Sequence, residues 1–514
     1  MILLKHPTLQ GRITIMHKIV HNVFPSLSTK SKQSANISVI TFWSCFSTYA
    51  LNTILILFLT RPLIARGLGY DQAKAYAFIG ISQATGYLMP VLGGYMADSV
   101  LGLRRSILLG SVLLALAYLL VMLSGYTILT HGDYFFLAAY ALIPASSSLL
   151  MGTASAMVSR IYTNDAIHAK SAMTFYYMAI NVGALLAALI APSLLDSRYG
   201  PLSVLALVFV GKSIAALNFA YRYALYDDVA WGKDQAPLTL TAKFQLFGYL
   251  ISLYLFTLFA YSHISVALIV VSVGCSLGII WFLIKTYQLT GESRYKQSVA
   301  ALLILEAIVF FVIYNQMNST LVLFAQKNSD LHLLGFLISP AQYQMLNPLL
   351  IIAIGFQLPR FYQRFPKFSI PWQFACGTLL AGISLLFIAI VARFGNEGIV
   401  NGNYIAITYI LITLAELWVS AIGLSMIGLY CDNRALGFAM GTWYLASSLS
   451  NTLSGRLAHW VAIPKNITSP IQSLAIYQHY YQNMGFIACL LGLAMLFVAY
   501  YSHRGFEKRG LVLV

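Results

Sequence analysis

The sequence predicts an all-α polytopic membrane protein, built as two six-helix bundles with an extra helix pair inserted between them. Three observations predict it. First, 59% of the 514 residues are hydrophobic and only 9% are Asp, Glu, Lys or Arg, against about 45–50% and 25% in soluble domains. A mean hydropathy of +0.77 leaves too little charge to cover a water-exposed surface, so hydrocarbon must be the solvent for most of it. Second, apolar runs of about 20 residues, the length that spans a bilayer, recur along the whole chain. Third, the net charge of +16 is ordered by topology. With both termini placed in the cytoplasm, 22 of the 31 Lys and Arg fall in cytoplasmic loops, 7 in external loops and 2 inside spans. That bias is the positive-inside rule of an inner-membrane protein. It makes the lipid bilayer the surrounding partner and accounts for the basicity without nucleic acid, because no soluble element gathers the charge on one patch.

Residues 1–36 carry Lys5, Arg12, Lys18, Lys30 and Lys32. They lack the long apolar core and small-residue cleavage site of a signal peptide, and so read as a cytoplasmic tail, with Met16 as an alternative start. The N-terminal bundle, 37–222, takes spans at about Ile37–Leu59 and Ala73–Ala97, one following Arg104–Arg105, then about Tyr134–Arg160, Ala172–Leu195 and Pro201–Ala220. A polar bridge with Asp227, Asp228, Lys233, Asp234 and Lys243 comes next. Residues 244–284 then contain no Lys, Arg, Asp or Glu, which suits a hairpin of two spans turning near Tyr261–Ser262–His263. Bridge and hairpin together occupy 223–297. The C-terminal bundle, 298–502, takes spans at about Val299–Ala325, Tyr343–Gln357, Ile370–Val391, Tyr404–Tyr430, Leu436–Val461 and Tyr480–Tyr501. Residues 503–514 form a second cytoplasmic tail, and the expected count is fourteen spans. Paired six-helix halves are the plan of many secondary transporters, which bind substrate between the halves near the bilayer midplane.

Cys45, Cys275, Cys376, Cys431 and Cys489 are scattered singly. Without CxxC pairs or His spacing they read as small buried hydrophobes, with no metal and no disulfide expected. The chain has no GxSxG with a placed His, no HExxH and no phosphate-cradling loop. An enzyme is therefore not expected, and neither is a cofactor.

Several motifs carry more information. The second span is followed by Gly93-Gly94-Tyr95-Met96-Ala97-Asp98 and then Gly102-Leu103-Arg104-Arg105. This G-x-x-x-D…G-x-R-R pattern resembles the gating loop of the major facilitator superfamily. Glycines permit close helix approach, while Asp98 can cap the next helix or pair with an Arg across the gate; a simple N-cap with topogenic arginines gives the same pattern. More specific are Tyr87-Leu88-Met89-Pro90, then Phe175-Tyr176-Tyr177-Met178-Ala179-Ile180-Asn181-Val182-Gly183, and Tyr314-Asn315-Gln316-Met317-Asn318-Ser319-Thr320. Leu346-Asn347-Pro348, Leu414-Ala415-Glu416-Leu417-Trp418 and Gly441-Thr442-Trp443 complete the set. With the inserted helix pair, and in the right order over about 37–502, they resemble the proton-dependent oligopeptide transporter (POT) family. The resemblance implies a carrier for di- or tripeptides or a similar small solute, with Tyr49, Asn52, Tyr87, Asn181, Asn315, Gln316, Asn347, Glu416 and Trp443 at substrate-binding positions. Glu416 matches the residue that holds a peptide's amino end.

The departures are equally specific. The family's first helix typically reads E-x-x-E-R-F-x-Y-Y, with an Arg three residues beyond. Here Thr41, Ser44 and Cys45 replace both carboxylates and the first Arg, and Asn52 replaces the second. Met151 falls at the family's Lys and Asn315 at a Glu. Hydroxyl, thioether and amide groups cannot carry protons reversibly near neutral pH, so the resemblance with these losses implies altered or lost proton coupling.

Thr41, Ser44, Cys45, Thr48, Tyr49 and Asn52 recur at spacings of three and four and share one helix face. Such a stripe either lines a wet cavity or glues membrane helices together. Tyr49, Tyr87, Asn181, Asn347 and Trp443 form a pocket as a set, while each alone is an ordinary interior residue. Glu416 and Glu306 are the only acids placed deep in the membrane, where a carboxylate costs about 2.5–3.5 kcal/mol on the insertion scale. Each must find a partner: substrate for Glu416, and Lys212 or Arg456 for Glu306. Two other readings stand beside a peptide carrier. One is transport of a non-peptide metabolite; the other is a non-transporting receptor or scaffold on a transporter fold.

Overall fold

The computed structural model describes residues 28–510, apart from 164, 231, 356, 366–367, 432–435 and 465. The expectations for Lys5, Arg12, Met16 and Lys18 concern residues outside this range. Helix α1 (Thr29–Thr60) starts well before the predicted Ile37, because the Ser28 side chain accepts the Ser31 N–H at 3.2 Å and caps it. Then come α2 (Gln72–Met96), capped by Asp71, and α3 (Leu103–His131). Helix α4 (Tyr134–Ile161) is interrupted before Gly152, whose φ of 83° a side chain rarely adopts. It is followed by α5 (Ala166–Leu195) and α6 (Pro201–Tyr221).

After the polar bridge, α7 (Leu240–Ser262) and α8 (Ile264–Gln288) form an antiparallel pair broken at His263. Helix α9 (Gly291–Asn328) tightens to a 3₁₀ turn at Asn315–Asn318. A short β-hairpin pairs His332–Leu333 with Phe336–Leu337. The last helices are α10 (Leu346–Gly355), α11 (Leu358–Arg364), α12 (Ile370–Ala392), α13 (Gly402–Tyr430), α14 (Leu436–Leu457) and α15 (Pro470–Lys508).

Among the described residues, eleven helices are long and apolar enough to cross a membrane. The three other segments expected to span are helical but fall outside that set, as α2, α10 and α14. Helix α10 is only 10 residues long. Helix α2 carries Gly80, Gly86, Gly93 and Gly94, and α14 is rich in Ser, Gly and Thr, which lowers their hydropathy for a packing reason. A Cβ on Gly80 would lie 2.9 Å from the Gly455 Cα and 2.8 Å from the Asn451 carbonyl oxygen. Only glycines allow these two backbones to touch, the small-residue contact of membrane helices.

That crossing joins the two halves of the molecule, and polar contacts at the same end reinforce it. Gln72 accepts the Ile463 N–H at 2.8 Å, Gln344 donates to the Thr53 carbonyl at 3.0 Å, and Gln342 donates to the Leu189 carbonyl at 3.0 Å. The halves are thus shut together at the end that carries the 61–71 loop. The helix pair α7–α8 is bonded to both halves. Thr257 donates to the Ala141 carbonyl at 2.7 Å, Tyr261 meets Thr85 at 2.9 Å, and Ser272 meets Thr452 at 2.8 Å.

Candidate functional site

Between the halves lies a cavity of about 340 Å³, within reach of the size range of small-ligand sites. The polar stripe of α1 faces it: Thr41, Ser44, Cys45, Thr48, Tyr49 and Asn52 all line the wall. Tyr87 of α2, Met151 at the break in α4, Asn315 at the 3₁₀ turn of α9 and Asn347 at the start of α10 complete the predicted residues that reach it. The breaks in α4 and α9 have a local cause. Gly152 and the Asn315–Asn318 turn interrupt the helical ladder, and irregular backbone at membrane depth is tolerated where it borders a cavity.

One wall carries a cation. Lys212, in the middle of α6, is 2% exposed yet lines the cavity. Its Nζ donates to the Ser44 carbonyl at 2.7 Å, the Ser44 hydroxyl at 2.9 Å and the Thr48 hydroxyl at 2.7 Å. The Tyr118 ring centroid lies 5.1 Å from the same nitrogen. The small residues of the α1 stripe thus make room for an ammonium arriving from another helix. The signal in the sequence was a lone charge at the centre of an apolar span, which inside a membrane is a functional candidate by default.

The opposite wall carries an anion. Glu416 of α13 accepts the Asn347 amide at 2.5 Å, and the Tyr314 phenol also bonds to it. Asn347 additionally donates to Thr413 at 3.2 Å, which fixes the amide's orientation. Tyr49 and Tyr87 lie within electrostatic reach of Glu416 from the other half. Glu416 itself stands one layer behind the cavity surface, which Asn347 and Tyr314 form in front of it.

Besides Glu416, three predicted binding residues do not line the cavity. Gln316 is fully buried and spent on internal bonds, donating to Ser454 at 2.9 Å and accepting from Thr320 at 2.8 Å and Tyr480 at 3.0 Å. Trp443 packs edge-on against Phe311 and Phe374, with ring centroids 5.7 and 6.2 Å away. Asn181 returns its amide to the Tyr177 carbonyl at 3.0 Å. Each sits on the packed side of its helix. The expected pairing of Glu306 with Lys212 or Arg456 is not formed. Glu306 turns toward Thr378 of α12, its carboxylate buried with no charged partner among the described residues. Lys212 points instead to α1, and Arg456 is exposed.

The loop after α2 also departs from expectation. Asp98 is exposed, and it neither caps α3 nor joins any ion pair among the described residues. Gly102 occupies the N-cap with no side chain to offer. The cap comes from the bridge: Asp234, whose carboxylate is fully buried, accepts the Arg104 N–H at 3.1 Å and the Arg105 N–H at 3.4 Å. It also pairs with Arg160 at 3.1 Å. The Arg104 side chain pairs with Asp227 and stacks on Tyr223, and Arg105 donates to the Lys233 carbonyl at 2.9 Å. Gly93, rather than Gly94, makes the close approach, since a Cβ there would lie 1.9 Å from the Ser148 carbonyl oxygen. A second, wider cleft beside α11, lined by Arg360, Arg364 and Trp418, contains none of the predicted residues.

Comparison with known proteins agrees with this architecture. Residues 104–476 match the POT family (PTR2). Dipeptide and tripeptide permease A of Cronobacter turicensis is 32% identical over 462 residues, covering 90% of this chain and 90% of that protein. The protein of the same name from Salmonella typhi is 31% identical over 464 residues, with the same coverage. Among solved structures, tetrameric PepTSo2 superposes with a TM-score of 0.82 at 25% identity, covering 93% of this chain and 100% of that one. A bacterial homologue of the human drug peptide transporters PepT1 and PepT2 gives 0.80 at 25% identity, with equal coverage.

Proposed function

The chain belongs to the POT family of membrane transporters, which are not enzymes, and we propose that it carries di- or tripeptides by alternating access without obligatory proton coupling. The observation that carries this reading is the cavity between the halves. It is solute-sized, walled by tyrosines and amides, and backed by a carboxylate whose partners, Asn347 and Tyr314, are both neutral. Tyr offers flat apolar area with one polar end, and Asn offers donor and acceptor together, a combination that accepts varied side chains around a constant backbone. A carboxylate lacking a counter-charge in low dielectric favours an amine-bearing guest.

The absence of coupling rests on the same wall. A proton-driven cycle needs an acid beside a cation that releases it in one access state, because the cation depresses the acid's pKa. Thr41, Ser44 and Asn315 stand where the family has acids, and Glu416 has no cation partner among the described residues. The charge asymmetry of the loops and the bacterial relatives support an inner-membrane location with both termini cytoplasmic. In that orientation the contacts between the halves around Gly80 and Gly455 close the external side. Fourteen spans, grouped as 37–222, 223–297 and 298–502, fit the three helices that complete the apolar eleven.

Counterflow tests the proposal. Liposomes loaded with unlabelled dialanine should draw in labelled dialanine transiently when they contain the protein. Binding without exchange would identify a receptor on a transporter scaffold. No binding, together with exchange of an amine or nucleoside instead, would identify a carrier of another metabolite.

A further inference from the structure

Lys212 and Glu416 are opposite charges, Lys212 on one wall of the cavity and Glu416 one layer behind the other, and neither has a counter-charge among the described residues. Lys212 spends its three donors on one turn of α1, on the Ser44 carbonyl and hydroxyl and the Thr48 hydroxyl. No carboxylate pairs with it among the described residues, and α3 contributes only the Tyr118 ring. Glu416 mirrors this arrangement with one amide and one phenol. Neutral dipoles compensate a buried ion less well than an opposite charge does. The two sides of the cavity therefore present opposite charges that only neutral groups meet among the described residues.

Resting on the peptide reading above, we propose that Lys212 anchors the carboxylate end of a zwitterionic substrate, with Ser44 and Thr48 as its positioning residues. The substrate's amine then lies toward Glu416. The resemblance to the family implies cations at Asn52 and Met151, and both positions line the same cavity with uncharged side chains. The chain has thus moved its N-terminal cation to α6 rather than lost it. Ser44 and Cys45 are short enough to admit the lysine, which longer acids and an arginine at those positions would exclude. An arriving carboxylate exchanges with the Ser44 oxygens for the ammonium protons, and the Ser44 hydroxyl then donates to the carboxylate.

Binding of dialanine, its C-terminal amide and its N-acetyl derivative to the purified full-length protein reads the assignment directly. The native protein should prefer dialanine over the amide by about tenfold or more, ~1.4 kcal/mol. Lys212→Met should bring that ratio close to one while leaving the preference over the N-acetyl derivative, which reads Glu416, unchanged. A lysine serving only as a strut between α6 and α1 would lower affinity for all three ligands alike. Should Lys212→Met fail to fold, Lys212→Gln keeps a donor for Ser44 without the charge and must lose the ratio, whereas Lys212→Arg must keep it. A ratio that survives in either uncharged variant overturns the assignment alone. Failure of the native protein to bind dialanine at all overturns the peptide reading and the assignment with it.

Discussion

The two walls of the cavity solve the same problem from different materials. On the C-terminal side, Glu416 is held by Asn347 from the start of α10 and by Tyr314 from the end of the regular part of α9. It stands where the resemblance to the family implies an acid. On the N-terminal side, the charge is Lys212, which comes from α6 and is held by a single turn of α1. There the positions where the resemblance implies charges carry only uncharged residues. What is shared is the field at the cavity: one intramembrane charge per half, opposite in sign, each with neutral partners among the described residues. What differs is the helix that supplies it. On the proposed assignment, the binding field is kept while the residue that produces it lies on a neighbouring helix, with short side chains at Ser44 and Cys45 admitting it.

Breaking the frame behind the N-terminal wall should have the largest effect. Asp234 caps α3 and pairs with Arg160 from a fully buried carboxylate, and removing one partner of a buried pair costs about 3–5 kcal/mol. Asp234→Ala should therefore lower the apparent melting temperature sharply. Asp98→Ala, at an exposed residue with no ion-pair partner among the described residues, should change stability by less than about 0.5 kcal/mol. Equal losses from the two would return the capping role to the motif aspartate.

Next in size is the C-terminal charge itself. Glu416→Gln keeps the shape and the contact with Asn347 but removes the anion, so dialanine binding should weaken by more than tenfold, roughly 1.4 kcal/mol. N-acetyl-dialanine, which has no cationic amine, should bind the native protein and the variant alike. Unchanged dialanine affinity with impaired folding would make Glu416 structural and leave the C-terminal wall without its charge.

The smallest effect concerns the acid that the comparison leaves out. Glu306 is buried beside Thr378 with no charged partner among the described residues, so Glu306→Met should raise stability by roughly 1 kcal/mol through relief of desolvation. Peptide exchange should be unaffected. Collapse of exchange would reveal a second working acid in the C-terminal half and end the picture of one charge per wall.

Much of the fold was legible because membrane helices announce themselves through composition. The uncharged run 244–284 marks the α7–α8 pair, and the break falls at His263. The α1 stripe was legible from helical spacing alone, and all six of its residues reach the cavity. What the sequence hid are choices between faces and between distant partners. Gln316 and Trp443 sit in recognisable motifs, yet their side chains turn into helix contacts. The Lys212–Ser44 bond joins residues 168 positions apart, and the Asp234 cap joins residues 130 apart. No local pattern encodes either, because each depends on how whole helices and the bridge pack. Lys212 was visible as an oddity, but its partner followed only from the rotation of α6 toward α1.

If the substrate itself brings both counter-charges, a zwitterion crosses with no net charge and no proton needs to accompany it. Uptake of dialanine into proteoliposomes, under an inward proton gradient and an inside-negative potential, tests this most directly. Dialanine should equilibrate at the same internal and external concentration, and dissipating the proton gradient alone should leave that level unchanged. Accumulation above the external concentration that collapses when the proton gradient is removed would contradict it.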